Sequence, residues 1–231
     1  MISLSFGSVA GEPYPAALYK DMREFHSALA TALGNGKIVV ASGSNSPPPG
    51  VADFVSGPPG VIRVGGAEAT SHTSNVRTVA FPDVVANYTI LAPAAYSSST
   101  YEYAWGDSFA APVVAGTVGE AIHMLREQGT PYDAAKLRRA LNASAIQWAP
   151  SDYDPTKSPS NDTLQYLYSP PAPHILPGAQ MGWGYVDGRL APEIARRVTQ
   201  GDYTPKADIA TQQAMAAYQA AREAYWANGG P

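Results

Sequence analysis

The sequence predicts an α/β fold built on a parallel sheet, on three observations. Lys37-Ile38-Val39-Val40-Ala41 is a short β-branched run of the kind found in strands buried on both faces. The stretch before it, Pro15 to Leu33, has Ala17, Leu18, Met22, Phe25, Leu29 and Leu33 along one helical face, so a strand is reached through a helix. Phe109 to Leu125 carries Val113, Val114, Val118, Ala121, Ile122 and Leu125 at helical spacings. It is apolar nearly all round in its first half, which predicts a helix buried inside the domain.

In chain order, Met1-Ile2-Ser3-Leu4-Ser5-Phe6 alternates and stops at Gly7, a first strand. Gly34-Asn35-Gly36 ends the first helix. Strand, helix and strand at this spacing form a βαβ unit with a right-handed crossover. Ser42-Gly43-Ser44-Asn45-Ser46 leaves the carboxyl end of the second strand, where ligands bind in open parallel sheets. The prolines and glycines from Pro47 to Gly60 make a loop, and Val61-Ile62-Arg63-Val64-Gly65-Gly66 is a further short strand. Tyr88-Thr89-Ile90-Leu91 continues as a strand, and Ala94 to Trp105 reads as a Ser/Tyr-rich turn. Helices follow at Ala134 to Leu141 and Ala191 to Val198, separated by a Pro/Ser/Tyr-rich insertion from Ser151 to Gln180. Beyond Gly201 comes an alanine-rich helix, Ala207 to Ala227, with Ile209, Met215, Tyr218, Tyr225 and Trp226 as its large apolar residues. It is expected to dock on the domain, the alternative being a partner-binding helix. The expected organisation is a domain over 1–200 and a helical tail over 201–231.

Composition bounds the function. The 231 residues suffice for one sizeable core. A net charge of -4 gives no electrostatic case for nucleic acid. No cysteine is present, so disulfides are excluded. No apolar run is expected to be long enough to span a membrane, and no secretory signal is expected after Met1, where Leu4, Phe6 and Val9 sit among serines and glycines with no basic start.

The chemistry concentrates in Gly106-Asp107-Ser108-Phe109-Ala110-Ala111-Pro112-Val113-Val114-Ala115-Gly116. A serine here opens a buried helix. The start of a helix has unpaired N–H groups and the positive end of the macrodipole, which stabilise an oxyanion. Ser108 or Asp107 could equally serve only as the N-cap. This stretch resembles the G-T-S-x-A-x-P-x-V-A-G signature around the nucleophile of the subtilases, the subtilisin-like serine peptidases. Gly106, Ser108, Ala110, Pro112, Val114, Ala115 and Gly116 match, and Asp107 replaces a threonine.

Other segments resemble the same family in the family's order. Ser5-Phe6-Gly7-Ser8 is similar to its S-L-G-G segment, Ser42-Gly43-Ser44-Asn45 to A-A-G-N, and Val61 to Gly65 to V-I-x-V-G. Asp83-Val84-Val85-Ala86 resembles D-V-x-A-P-G, and Gly182 to Asp187 resembles G-x-G-x-V-[ND]. The resemblance implies a three-layer parallel sheet with helices on both faces and peptide-bond hydrolysis by acyl transfer. It implies Ser108 as nucleophile and Ser44 or Asn45 as oxyanion donor, the family's asparagine position being held by Ser44. Ser5, Phe6 and Gly7, with Ser42 and Gly43, would lie along the substrate strand. A peptide or protein is the implied substrate. Calcium is possible by family, though no calcium-loop pattern is present, and a secreted or extracytoplasmic setting is implied.

The family's D-[ST]-G and H-G-T motifs, which carry the catalytic aspartate and histidine, do not occur. Both belong upstream of the strand at Met1, so the chain matches the second part of the catalytic domain. Its N-terminal part is expected to come from an upstream segment or a second chain, and exposed apolar surface is expected near Met1 to Phe6. None of the four histidines is placed by motif. His123 is fifteen positions along the helix from Ser108, about 22 Å at the helical rise. His26 is mid-helix, and His72 and His174 fall in loops. The competing reading is a non-catalytic subtilase-like scaffold that holds peptides in the same cleft.

Overall fold

The computed structural model describes residues 1–6, 16–43, 55–67, 82–96, 99–146 and 181–228, and of 16–21 the backbone alone. Four parallel strands, β1 (Ile2–Leu4), β2 (Val39–Ser42), β3 (Val61–Ala67) and β4 (Val84–Asn87), lie side by side in chain order. The register pairs Ile2 with Val39, Val40 with Ile62 and Val64 with Val84.

Alternate side chains of a strand point to opposite faces. Val40, Ile62, Val64 and Val84 therefore join one core, and Val39, Ala41 and Val61 the other. Burial on both sides is why these strands read as continuous apolar runs. The second core is closed by α1 (Ala16–Gly34) through Leu29, with Phe25 and Leu33 against it. The first is closed by α2 (Asp107–Glu127), whose Val114, Val118, Ala121 and Leu125 are buried. Each fully buried valine or leucine contributes about 1.5–3 kcal/mol by leaving water. By length and apolar composition alone, α2 could cross a membrane. It packs across the sheet instead, as the core helix, so the expectation that no run is long enough is corrected without giving a membrane span. Helices α3 (Ala134–Ser144) and α4 (Ala191–Gln200) add Leu137, Leu141, Ile194 and Val198 to the same core.

The two edges of the sheet differ. Outside β4, Val85 N–H donates to Gly184 O (2.9 Å) and Val186 N–H to Val85 O (2.8 Å), so the segment that resembles G-x-G-x-V-[ND] covers this edge. Among the described residues β1 has β2 as its one sheet neighbour. Met1, Ile2 and Phe6 are exposed there, the apolar surface the sequence led us to expect.

The last helix, α5 (Ile209–Ala227), docks on the α1 face of the sheet. Arg63 Nη1 in β3 donates to the Tyr218 hydroxyl at 3.1 Å, and the Trp226 ring stands edge-on to His26 of α1 at 4.8 Å. Met215 and Arg222 are fully buried.

One element departs from expectation. Ala94 to Trp105 is not a turn throughout: β6 (Tyr101–Trp105) pairs antiparallel with β5 (Thr89–Pro93). Tyr101-Glu102-Tyr103-Ala104-Trp105 alternates and is rich in aromatic residues, which favour a pleated surface. The run of serines before it drew the reading towards a turn.

Candidate active site

The β5–β6 hairpin delivers the chain to the start of α2. Gly106 N–H donates to Tyr88 O at 3.0 Å, and the Phe109 N–H to Gly106 O at 3.0 Å. Gly106 is the N-cap with φ 138° and ψ 161°, a region open in practice to glycine alone. Among the described residues no side chain hydrogen-bonds as a cap at this N-terminus. The reading of Ser108 or Asp107 as a mere N-cap is therefore overturned, and the Ser108 hydroxyl is not consumed by that role.

Ser108 is the second residue of α2 and is half-buried. Its N–H belongs to the first turn, where the helix offers no acceptor. Pro112, four residues on, has no N–H to give the Ser108 carbonyl and crowds it, which loosens the helix at this turn.

Asp107 turns under the helix. It is fully buried, and a β-carbon at position 66 would stand 2.2 Å from Tyr88 Cδ2 and 2.8 Å from Asp107 Oδ1. Only glycine lets β3 approach the helix start this closely. Because Gly66 pairs with Ala86 near the ends of β3 and β4, the start of α2 sits at the carboxyl end of the sheet. Burial pushes the Asp107 carboxyl well above the usual carboxylate range, although the Gly66 amide and the Arg63 charge pull the other way. A carboxyl that faces the sheet, and whose charged form burial disfavours, does not oppose an oxyanion beside Ser108.

A pH prediction follows from that burial. The folded pKa lies above the unfolded value of about 3.9, so the folded state holds the Asp107 proton where the unfolded state has lost it. This term costs no stability below about pH 4 and a growing amount as pH rises towards the folded pKa. Asp107→Asn should stabilise the protein at neutral pH and not at acid pH, when urea midpoints of the two proteins are compared across the range. A difference that stays constant with pH would refute the buried-acid account. The Glu193 carboxyl, pulled to about 2 by Arg196, is present in both proteins and cancels in the comparison.

The same end of the sheet collects the other described residues expected along a substrate. Gly43 N–H donates to Val64 O at 2.7 Å, which sets Ser42 and Gly43 at the end of β2 beside β3. The Ser42 hydroxyl donates to Phe6 O at 3.3 Å and ties the ends of β1 and β2 together. Ile2 N–H donates to Ile38 O at 2.8 Å, towards β2. Alternation then turns the backbone groups of Leu4 and Phe6 towards β2 as well, and those of Ser5 outward. Gly7, Ser44 and Asn45 lie outside the described residues, as do His72 and His174. His123 pairs with Glu127, Nε2 to Oε1 3.3 Å, at the far end of α2, and His26 lies against Trp226. Among the described residues no group of three or more His, Cys, Asp or Glu side chains is placed to hold a metal ion.

A serine at the start of a core helix, over the carboxyl end of a parallel sheet with helices on both faces, defines the α/β architecture of this chain. The chain belongs to the subtilase family, whose family model matches residues 1–179. No curated protein matches it in sequence. Among solved structures it is similar to the prenylagaramide maturation protease PagA, with 18% identity and a TM-score of 0.57, covering 86% of this chain and 62% of that one. It is similar to the self-cleaved protease domain of PatA, with 17% identity and a TM-score of 0.55, covering 87% and 62%. It is also similar to the PatG macrocyclase in complex with peptide, with 20% identity and a TM-score of 0.50, covering 73% and 46%. At these identities the likeness is one of fold, and the chain spans less than two thirds of each of these proteins.

Sequence reasoning missed two features around the site. It did not see that Asp107 is buried against Gly66, for which the glycine pair in β3 was the available signal. It also read β6 as turn, although the alternation in Tyr101 to Trp105 was legible.

Proposed function

We propose that this chain carries the nucleophile and the substrate-binding part of a subtilase-type serine endopeptidase, which hydrolyses peptide bonds by acyl transfer. The observation that supports it most is the half-buried Ser108 in an uncapped helix start at the carboxyl end of the sheet. The Ser108 Oγ would attack the scissile carbonyl. The Ser108 N–H and a side-chain donor, Ser44 or Asn45, would receive the oxyanion. Peptide backbone would pair along Ser5 to Gly7 and beside Ser42 and Gly43. A peptide in the PatG complex, on a similar fold, supports this class of ligand. A serine hydroxyl needs a base to become a nucleophile, and the base and its orienting aspartate would come from residues this sequence does not contain.

A second reading, a non-catalytic peptide-holding domain, is favoured by one observation: neither the D-[ST]-G nor the H-G-T motif occurs here. A fluorophosphonate serine probe separates the two. The chain alone should not be labelled, and adding an upstream segment that carries both motifs should lead to labelling at Ser108. Absence of labelling in both cases would establish the peptide-holding domain. Labelling of the chain alone, lost in His72→Ala or His174→Ala, would show that the base lies within these residues.

A further inference from the structure

The β5–β6 hairpin presents an aromatic face that the site chemistry does not use. Cross-strand partners share a face, and the register pairs Leu91 with Tyr103 and Pro93 with Tyr101. Leu91 is 59% exposed, Tyr101 67%, Tyr103 76% and Trp105 63%. Pro93 is exposed beside them. The opposite face, with Ile90, Ala92 and Ala104, is half-buried against the body. Among the described residues of the hairpin no formal charge lies on the aromatic face, since Glu102 points the other way.

Three observations connect this face to Ser108. Strand β6 runs into Gly106 without a spacer. Trp105 stacks on the buried Tyr88, centroids 6.2 Å apart and planes 24° apart, and Tyr88 O holds the Gly106 N–H. The platform is thus fixed to the turn that carries the nucleophile. Its length also suits a peptide. Tyr101 to Trp105 spans about 13 Å, and the ring positions repeat every ~6.7 Å, the spacing at which an extended peptide presents side chains to one side.

We infer that the hairpin face through Tyr101, Tyr103 and Trp105 binds the part of the substrate flanking the scissile bond, as an extended segment with aromatic or proline side chains at alternate positions. This rests on the peptidase reading for its location and deepens it: selection is made several residues away from the bond that is cut. Uncharged stacking and tyrosine hydroxyls favour such side chains over charged ones.

The test measures binding by the Ser108→Ala protein, so that turnover plays no part. Its probes are a decapeptide with tyrosine or proline at every second position and a matched one with serine in their place. The aromatic peptide should bind more tightly, and Tyr101→Ser/Tyr103→Ser should weaken it by about tenfold, at ~0.5–1.5 kcal/mol for each aromatic pair, while leaving the serine peptide unchanged. Equal binding of both peptides, or an unchanged affinity in the double variant, overturns the inference. So does loss of a dimer in sedimentation on making the double variant, which would assign the face to a second copy, or its loss of binding to neutral lipid vesicles. If Ser108 stays unlabelled even with the upstream segment added while the aromatic peptide still discriminates, the acyl-transfer reading falls and the binding face stands.

Discussion

Arg222→Ala should lower the stability of the fold by about 3–5 kcal/mol, the cost of removing one partner from a buried ion pair. The Arg222 guanidinium is fully buried beneath α5. It donates to the carbonyls of Gly57 (2.5 Å), Ser56 (2.6 Å), Pro58 (2.9 Å) and Val61 (3.0 Å), and to Asp83 Oδ2 at 3.2 Å. Asp83 is buried too, and receives Gln219 Nε2 at 2.6 Å and the Arg63 N–H at 2.8 Å. Alanine would leave Asp83 buried without this cation and four carbonyls without this donor. A domain holds only about 5–15 kcal/mol in total, so the loss is a large share. The check is a denaturant midpoint beside that of Arg189→Ala, whose exposed side chain pairs with Asp187. That control should hardly move. An Arg222→Ala midpoint no lower than the control's would mean that α5 is an appendage, despite its contacts.

This clasp shows where the sequence was opaque. Its partners are separated by 139 residues between Arg222 and Asp83 and by 155 between Arg63 and Tyr218, and no local period connects such pairs. Arg63 sits in an apolar strand and reads as an exception until Tyr218 is placed opposite it. The layers themselves were legible, because burial on both faces forces β2 and β3 to be apolar but for Ser42 and Arg63, and α2 to be apolar nearly all round. The position of Ser108 was legible as well, since Gly106, Pro112 and the small residues each answer a local steric demand. The fate of Asp107 was not. Whether a carboxyl caps a helix or turns beneath it depends on the room at Gly66, which lies on another strand. The expectation that Asp107 caps α2 is corrected for that reason: the cap is Gly106 and the carboxyl is buried.

Ser108→Ala should abolish acyl transfer while leaving the fold and peptide binding in place. The hydroxyl does not cap the helix, and its residue is half-buried, so its loss should change stability by no more than about 0.5 kcal/mol. The chemical effect should be far larger. In subtilisin, a member of the same family and the source of the figure, loss of the serine costs about 2 × 10⁶ in kcat. Loss of a single oxyanion donor there costs about 10² to 10³. Turnover by this chain together with a segment supplying aspartate and histidine should therefore fall in two steps of very different size. Ser108→Ala should reduce it to what the oxyanion donors and binding alone provide. Of Ser44→Ala and Asn45→Ala, the one that removes the side-chain donor should lower kcat by the smaller amount and hardly change KM, because the bond forms in the transition state. If both leave kcat unchanged while Ser108→Ala abolishes it, the oxyanion is held by backbone N–H groups alone. Ser108→Ala without effect on turnover would remove the serine-peptidase reading altogether.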